Sequence, residues 1–458
     1  MILLLKDTIF ALSTPQGIGG VAVIRISGPQ AHAALQALFH PMGSAQMEPR
    51  RLAYGRFVFQ DTQIDDGMAV LFCAPASYTG EDSAELQCHG SLAVVQQLLY
   101  ALGTLPGLRP AEPGEFTKRA FLHGKMDLSQ AEAVMDLIGA EGTAAARQSL
   151  SQLHGTLFAQ VDGLCDALTL ALAGIEAGLD FPEDDWEQAA NEEGFASMEH
   201  IFTKVSALLR SYQAGKLVKQ GVRCALVGRP NAGKSSLLNA AAGFERALVS
   251  EQAGTTRDII EEAVQVDGIV LRLCDTAGIH DGATGLEARG IDLGLSMIQG
   301  CDVSVLVVDG SQPLTKDDES LLYQALKGRP FIVALNKADL PQQVQLSALA
   351  DRWPDAAAVL PCSCENGEGV LAVLQAALQA SGVQQNEASL ITNARHAACL
   401  ERAQHGLSQA LEAYRAGLPA DIAAEDARLA LHALGEITGK TVSEEVIDEI
   451  FATFCVGK

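Results

Sequence analysis

Aromatic side chains are scarce: Phe, Trp and Tyr make up 5% of the 458 residues, with only two Trp. A core built with so few rings is filled by Leu, Ala and Val, a composition that favours helices. Basic residues are scarce too. Lys and Arg number 32 against 56 Asp and Glu, a formal charge of −24. Such a surface repels phosphate backbones at long range and lacks the basic footprint of a dedicated nucleic-acid binder. An RNA substrate would need weak direct binding, a local basic patch or a basic partner. The ten cysteines contain no CxxC pair; Cys362 and Cys364 are nearest, without a second cluster at zinc-ligand spacing. Reduced thiols in a cytoplasmic protein are the plain reading. A secretory leader is not expected, because Lys6 and Asp7 cut short the opening Met-Ile-Leu-Leu-Leu. No membrane span is expected either: the most apolar stretch, residues 164–179, contains Asp166 and Glu176.

The length leaves room for two to four domains at roughly 100–200 residues each. Residues 1–122 mix short β-rich runs (21–26 and 68–72) with loops rich in Gly and Pro, and read as a compact α/β domain. Residues 123–215 turn helical. Leu150, Leu153, Leu157, Val161, Leu164, Leu168, Leu172, Ile175 and Leu179 recur at steps of three and four, which predicts one face of a single long helix. Pro182 ends it. Residues 216–381 alternate apolar runs (222–227, 270–274, 303–308 and 331–335) with amphipathic stretches, the pattern of a mostly parallel, doubly wound sheet. Residues 382–458 are helical again. The two helical stretches are expected to pack together, with the α/β segment inserted between them.

That inserted segment carries the chemistry. Gly228-Arg-Pro-Asn231-Ala232-Gly233-Lys234-Ser235-Ser236 matches GxxxxGK[ST], after an apolar strand and before a helix start. Backbone N–H groups there wrap phosphates, Lys234 reaches the β- and γ-phosphates, and the Ser235 hydroxyl binds Mg²⁺. Asp275-Thr276-Ala277-Gly278 follows the next strand, where a carboxylate suits Mg²⁺ and the Gly278 amide suits the γ-phosphate. Asn336-Lys337-Ala-Asp339 follows another strand. Its carboxylate suits the guanine N1–H and 2-amino donors, which adenine lacks, so the site rejects ATP. Ser363-Cys364-Glu365 stands where the base meets backbone amides; the usual pattern there is Ser-Ala-Lys. Gly254-Thr255-Thr256, between the P-loop and DxxG, offers Thr256 to complete the Mg²⁺ shell.

Two features of this series are unusual. Many small GTPases place a water-orienting glutamine directly after DxxG; here the residue is Ile279, which neither donates nor accepts. His280 and Glu287, in a Gly-rich segment, are the candidates to replace it. Asn231 offers an oxygen near the phosphates. It either only shapes the loop or holds a monovalent cation that neutralises charge developing in transfer.

Outside the nucleotide motifs the chain reads Asp7-Thr-Ile, Thr14-Pro-Gln-Gly-Ile-Gly-Gly20, Arg25-Ile-Ser-Gly28, Ser77-Tyr-Thr-Gly-Glu-Asp82 and Glu85-Leu-Gln-Cys-His-Gly90. It continues Glu112-Pro-Gly-Glu-Phe-Thr-Lys-Arg-Ala-Phe-Leu122 and Lys125-Met-Asp-Leu-Ser-Gln-Ala-Glu132, and closes Phe454-Cys-Val-Gly-Lys458. Over its whole length it resembles the MnmE (TrmE) family of tRNA uridine modification GTPases. The resemblance implies a multidomain α/β plus α fold: an N-terminal folate-binding and dimerisation domain, a helical domain in two parts and an inserted Ras-like P-loop G domain. It implies a homodimer that joins an FAD-containing, MnmG-type partner in a heterotetramer. Together they would add carboxymethylaminomethyl to C5 of the wobble uridine of certain tRNAs, with a one-carbon unit from a tetrahydrofolate derivative (5,10-methylene or 5-formyl form).

By motif, the resemblance also implies that Arg25, Glu85, Lys125 and Lys458 bind the folate. Surface ion pairs for Arg25 and Lys125, and a loose end for Lys458, are the plain alternatives. For K⁺, Asn231, Ser250, Gln252 and Thr255 match the family's ligands, within a Ser250-Glu251-Gln252-Ala253-Gly254-Thr255 loop that also meets the nucleotide. Glu287 matches the family's water-orienting glutamate. Cys455 is either a participant, adding to C6 of the uridine to activate C5, or a packing thiol. Val456 replaces the usual Ile. Two other readings compete. A ribosome-assembly GTPase of the Era or Der type would carry a basic RNA-binding domain, at odds with the charge of −24. A non-catalytic switch is compatible with Ile279 but not with Glu287 and Asn231.

Overall fold

The computed structural model describes residues 7–43, 47–180, 186–243, 261–275, 298–314, 326–383 and 391–458. Two compact units emerge. The first comprises 1–135, 158–165 and 432–458; the second comprises 136–157 and 166–431.

The first unit is built on seven strands: β1 (Thr8–Leu12), β2 (Gly19–Ser27), β3 (Phe39–Pro41), β4 (Ala53–Phe59), β5 (Thr62–Phe72), β6 (Ser83–Gly90) and β7 (Leu108–Pro110). Their order is β3-β4-β5-β6-β2-β1-β7, antiparallel except for the β1–β7 pair. Alternation along each strand sorts side chains between the two faces. Ile24 and Ile26 of β2 and Phe10 of β1 join Leu35 and Leu98, from the helices Ala31–Leu38 and Leu92–Gly103, in one core. Ile9 and Ala11 fall on the opposite face, against Phe116 of the helix Glu115–Leu122. Arg25, between Ile24 and Ile26, falls on that second face as well.

The chain's last residues belong to this unit. Phe451 and Phe454 pack on Leu128 and Ala131. Gly114 enters the helix Glu115–Leu122 with φ +67°, and a Cβ there would lie 2.5 Å from the Phe451 carbonyl oxygen. At Gly457 (φ +96°) a Cβ would lie 2.2 Å from the Leu12 carbonyl oxygen. Both close approaches require glycine.

The second unit holds a six-stranded sheet: β8 (Val222–Gly228), β9 (Glu261–Val266), β10 (Ile269–Asp275), β11 (Val303–Asp309), β12 (Phe331–Asn336) and β13 (Val359–Pro361). The order is β13-β12-β11-β8-β10-β9, parallel except for the β9–β10 hairpin. Its central strands are mostly apolar because both faces are covered. The helices Lys234–Ala242 and Val370–Ala380 contribute Leu237, Leu238, Val373 and Leu374 to one core. Ile298, Leu326, Leu349 and Trp353 fill the other. Strand order reverses between β8 and β11, the switch point beside which ligands bind in open α/β sheets.

The expected single helix through Leu150–Leu179 is two helices, Thr143–Leu153 and Thr156–Asp180. The apolar period runs on across the break, but Gly155 adopts φ +82° and its N–H bonds the Gln152 carbonyl. A left-handed glycine at this position is a helix stop. Leu150 is consequently exposed, while Leu157, Val161, Leu164, Leu168, Leu172 and Ile175 are buried. The span Thr156–Gly178 is long and apolar enough to cross a bilayer, with a mean hydropathy of 1.4. Here those buried residues pack within the protein. Of its acids, Asp162 pairs with Lys440, and Glu176 with Arg428 at 2.5 Å.

The two helical stretches do pack together. Phe195 and Tyr414, from Trp186–Gln220 and Ala394–Arg415, stack with ring centroids 3.8 Å apart and an interplanar angle of 10°. Gln404 donates to Ser206 Oγ (2.8 Å) and Arg415 pairs with Glu199 (2.6 Å). The β9–β10 turn is pinned to the helical part of the same unit. Ala144 N donates to the Gly268 carbonyl (2.9 Å), and Arg272 pairs with Glu141 (2.5 Å) and donates to the Gln220 carbonyl (3.2 Å). A Cβ on Gly142 would lie 2.7 Å from Gly268 O.

Candidate functional site

The P-loop leaves β8 at Gly228, passes Asn231 in a left-handed conformation (φ +65°), and enters the helix Lys234–Ala242 at Gly233 (φ +98°). Lys234 is 6% exposed, and its ammonium donates to the carbonyls of Gly228 (3.0 Å) and Arg229 (2.9 Å). Burial lowers its pKa, and Asp275 partly offsets the effect. Ser235 Oγ donates to Asp275 Oδ2 at 2.6 Å, joining the start of this helix to the end of β10. A hydroxyl and a buried carboxylate placed together suit a hard cation.

The elements expected to meet the base lock onto the same loop. Asn336, at the end of β12, is buried; its Nδ2 donates to the Ala232 carbonyl (3.0 Å) and its Oδ1 accepts from Cys364 N (3.2 Å). Ser363 Oγ donates to Asp339 Oδ1 (2.5 Å) and holds that carboxylate. Lys337, with φ +63°, gives its ammonium to Asp309 Oδ2 (2.6 Å) at the end of β11. Burial raises the Asp309 pKa, but the bonds from Lys337 and Ser311 outweigh it and leave the carboxyl below its ordinary range. The ends of β8, β10, β12 and β13 thus bring Asn231, Ala232, Gly233, Lys234, Ser235, Ser236, Asp275, Asn336, Lys337, Asp339, Ser363, Cys364 and Glu365 to one end of the sheet. Asp309 was not singled out in the sequence; its signal is a carboxylate ending an apolar strand. Ser250, Glu251, Gln252, Ala253, Gly254, Thr255, Thr256, Thr276, Ala277, Gly278, Ile279, His280 and Glu287 lie outside the described residues.

In the first unit, Arg25 and Glu85 are cross-strand partners on β2 and β6. Glu85 Oε1 accepts from Arg25 Nε (3.1 Å) and Nη2 (3.0 Å). The guanidinium lies over the rings of Tyr78 (5.1 Å) and Phe116 (5.8 Å). Its Nη1 is buried with no hydrogen-bond partner among the described residues. Lys458 belongs to the same cluster: burial lowers its pKa, Arg25 lowers it further and Glu85 opposes both. Lys125 makes a different contact, donating to the Pro75 carbonyl (3.0 Å). Cys455 is exposed, and its carbonyl accepts from Gly114 N (3.3 Å).

Other parts of the N-terminal motifs converge on a fully buried guanidinium. Arg119 donates to Asp7 Oδ1 (2.9 Å), Glu115 Oε1 (2.8 Å) and Glu81 Oε1 (3.2 Å), and Arg109 pairs with Asp7 and Glu115, both at 2.6 Å. Asp7-Thr-Ile, Ser77-Tyr-Thr-Gly-Glu-Asp82 and Glu112-Pro-Gly-Glu-Phe-Thr-Lys-Arg119 therefore meet in a structural ion cluster. Sequence reading quoted these motifs without finding that role.

The comparisons with known proteins agree along the chain. A family model described as the MnmE helical domain matches residues 128–455, and one described as the GTP-binding protein TrmE N-terminus matches residues 8–125. The tRNA modification GTPase MnmE of Synechococcus sp. (strain JA-2-3B'a(2-13)) is 42% identical over 465 residues, covering 99% of each chain. Its namesake from Geobacter sulfurreducens is 39% identical over 462 residues, again covering 99% of each. That from Natranaerobius thermophilus is 38% identical over 459 residues, 99% of this chain and 100% of the relative. With identity at this level sustained from end to end, the chain belongs to the MnmE family of tRNA modification GTPases.

Proposed function

We propose that this chain is a K⁺-dependent GTPase that acts with an MnmG-type, FAD-containing partner. Together they install carboxymethylaminomethyl at C5 of the wobble uridine of certain tRNAs, in the cytoplasm. The observation that carries the reading is the double lock on the nucleotide end of the second sheet: Asn336 ties the P-loop at Ala232 while Ser363 aims the Asp339 carboxylate. Asp339 pairs with the guanine N–H donors, and Lys234 leaves its two loop carbonyls for the β- and γ-phosphates. Ser235, whose hydroxyl donates to Asp275, would hold Mg²⁺ through its oxygen together with Thr256, with the Asp275 carboxylate alongside, and the ion would neutralise phosphate charge. Asn231, Ser250, Gln252 and Thr255 would hold K⁺, which would offset charge developing between the phosphates. Glu287 orients the attacking water in place of a glutamine at Ile279.

Support for the tetrahydrofolate derivative is the buried Arg25 Nη1, which has no hydrogen-bond partner among the described residues, beside Lys458. A desolvated guanidinium proton without an acceptor is costly, and a folate carboxylate or ring oxygen supplies that acceptor. The folate, when bound, supplies the one-carbon unit. Glu85 orients Arg25, Tyr78 and Phe116 support its plane, and Lys125 serves the glutamate tail. Cys455 stands as the candidate nucleophile towards uridine. A homodimer through the N-terminal domain, and a heterotetramer with the partner, complete the assembly.

Nucleoside analysis of tRNA from cells lacking this protein tests the reading. The carboxymethylaminomethyl group disappears from wobble uridine and returns with the wild-type chain; tRNA modified to the same extent without the protein rejects the proposal.

A further inference from the structure

Three ligand-type side chains outside both candidate sites meet at one edge of the first unit. His32 stands in the first turn of the helix Ala31–Leu38, Cys73 follows β5, and Asp82 precedes β6. A ring nitrogen of His32, the Cys73 sulfur and an Asp82 carboxylate oxygen all lie within 4.8 Å of one another. We infer that these three residues form a binding site for a soft divalent cation of the zinc class.

The donor set argues for that class. One thiolate, one imidazole and one carboxylate are the ligands zinc takes, with tetrahedral geometry and water in the fourth position. Magnesium and calcium prefer all-oxygen shells. The charges balance: thiolate and carboxylate cancel the dication, and the imidazole stays neutral. Binding breaks the S–H bond, forms the metal–sulfur bond and releases the thiol proton to solvent.

Two of the ligand side chains, His32 and Asp82, are also held by the backbone around them. His32 Nε2 lies 3.0 Å from the Phe72 carbonyl, and a ring that donates there keeps its lone pair on Nδ1. Asp82 Oδ1 accepts from Ala74 N (2.9 Å), which leaves the second oxygen for the metal. The Asp82 carbonyl accepts from Gly28 N (2.9 Å). Bonds of this kind orient ligands before a metal arrives. Cys73 is exposed, so an ion enters without rearrangement of the core.

The placement gives the ion a task. The segment between Cys73 and Asp82 contains Tyr78, over which Arg25 lies, and Glu81, which pairs with Arg119. A metal joining both ends of that segment to the helix closes it as a clip. The site needs neither nucleotide nor tRNA.

Cobalt titration of the full-length, metal-free protein, with Mg²⁺ present to occupy hard-cation sites, tests the inference. One equivalent of Co²⁺ should bring up a thiolate-to-cobalt charge-transfer band, and one equivalent of Zn²⁺ should abolish it. Cys73→Ser removes the band, whereas Cys455→Ser, at the chain's other exposed thiol, leaves it intact. His32→Ala and Asp82→Asn each weaken cobalt at least tenfold. Absence of a saturable band, a band that survives Cys73→Ser, or unchanged affinity in His32→Ala overturns the site.

Discussion

At Gly233 a Cβ would lie 2.1 Å from Asn336 Nδ2, with φ at +98°. Alanine there must break the Asn336–Ala232 bond or unwind the start of the helix. Gly233→Ala should therefore lose GTP binding by titration calorimetry while the far-UV spectrum stays unchanged. Asp339→Asn should shift preference from GTP towards XTP, measured by competition. Glu287→Ala should bind nucleotide normally and turn over slowly. In the first unit, Arg119→Ala should cost about 3–5 kcal/mol in urea unfolding, because it removes the fully buried guanidinium at the centre of the cluster and leaves Glu81 without that partner. Burial raises the pKa values of Asp7 and Glu115, but the bonds from Arg109 and Arg119 outweigh it and leave both below their ordinary range. The stability they contribute is complete above their unfolded values of about 4 and is lost as pH falls through the lower folded values. Acid titration of Asp7→Asn should show a flatter loss of stability below pH 4 than the wild type.

Elements were legible in the sequence where one period dominated. The apolar runs at 222–227, 270–274, 303–308 and 331–335 are β8, β10, β11 and β12, and the glycines of the P-loop fall between strand and helix as the motif requires. β9 escaped notice because Glu261, Glu262 and Gln265 interrupt its apolar positions. The break at Gly155 was hidden by leucines whose spacing continues across it. Partnerships between distant residues were the least legible: the Arg25–Glu85 pair follows from β2–β6 register, and the Arg119 cluster joins three segments far apart in the chain. The hairpin of β9 and β10 makes its own prediction. Arg272→Ala removes its bonds to Glu141 and to the Gln220 carbonyl. GTP hydrolysis should be kept within about twofold, while tRNA modification by the complete system falls by more than tenfold. Equal losses in both assays would show that Arg272 only stabilises the sheet.

For the whole molecule, the charge of −24 repels a phosphate backbone at long range, and tRNA contact is expected at local basic patches or through a partner. The cation proposal is tested at this scale. Hydrolysis by the full-length protein should be several-fold faster in K⁺ than in Na⁺ at equal ionic strength; equal rates would remove the K⁺ ligands from the mechanism. β10 runs from the pinned turn at Gly268 to Asp275, whose carboxylate meets Ser235 beside the P-loop. One strand held at both extremities therefore joins the Asp275 carboxylate to the turn that abuts Gly142. A displacement at Asp275 should register in the first turn of the helix Thr143–Leu153, and amide exchange in that turn, compared with and without GTP, checks it.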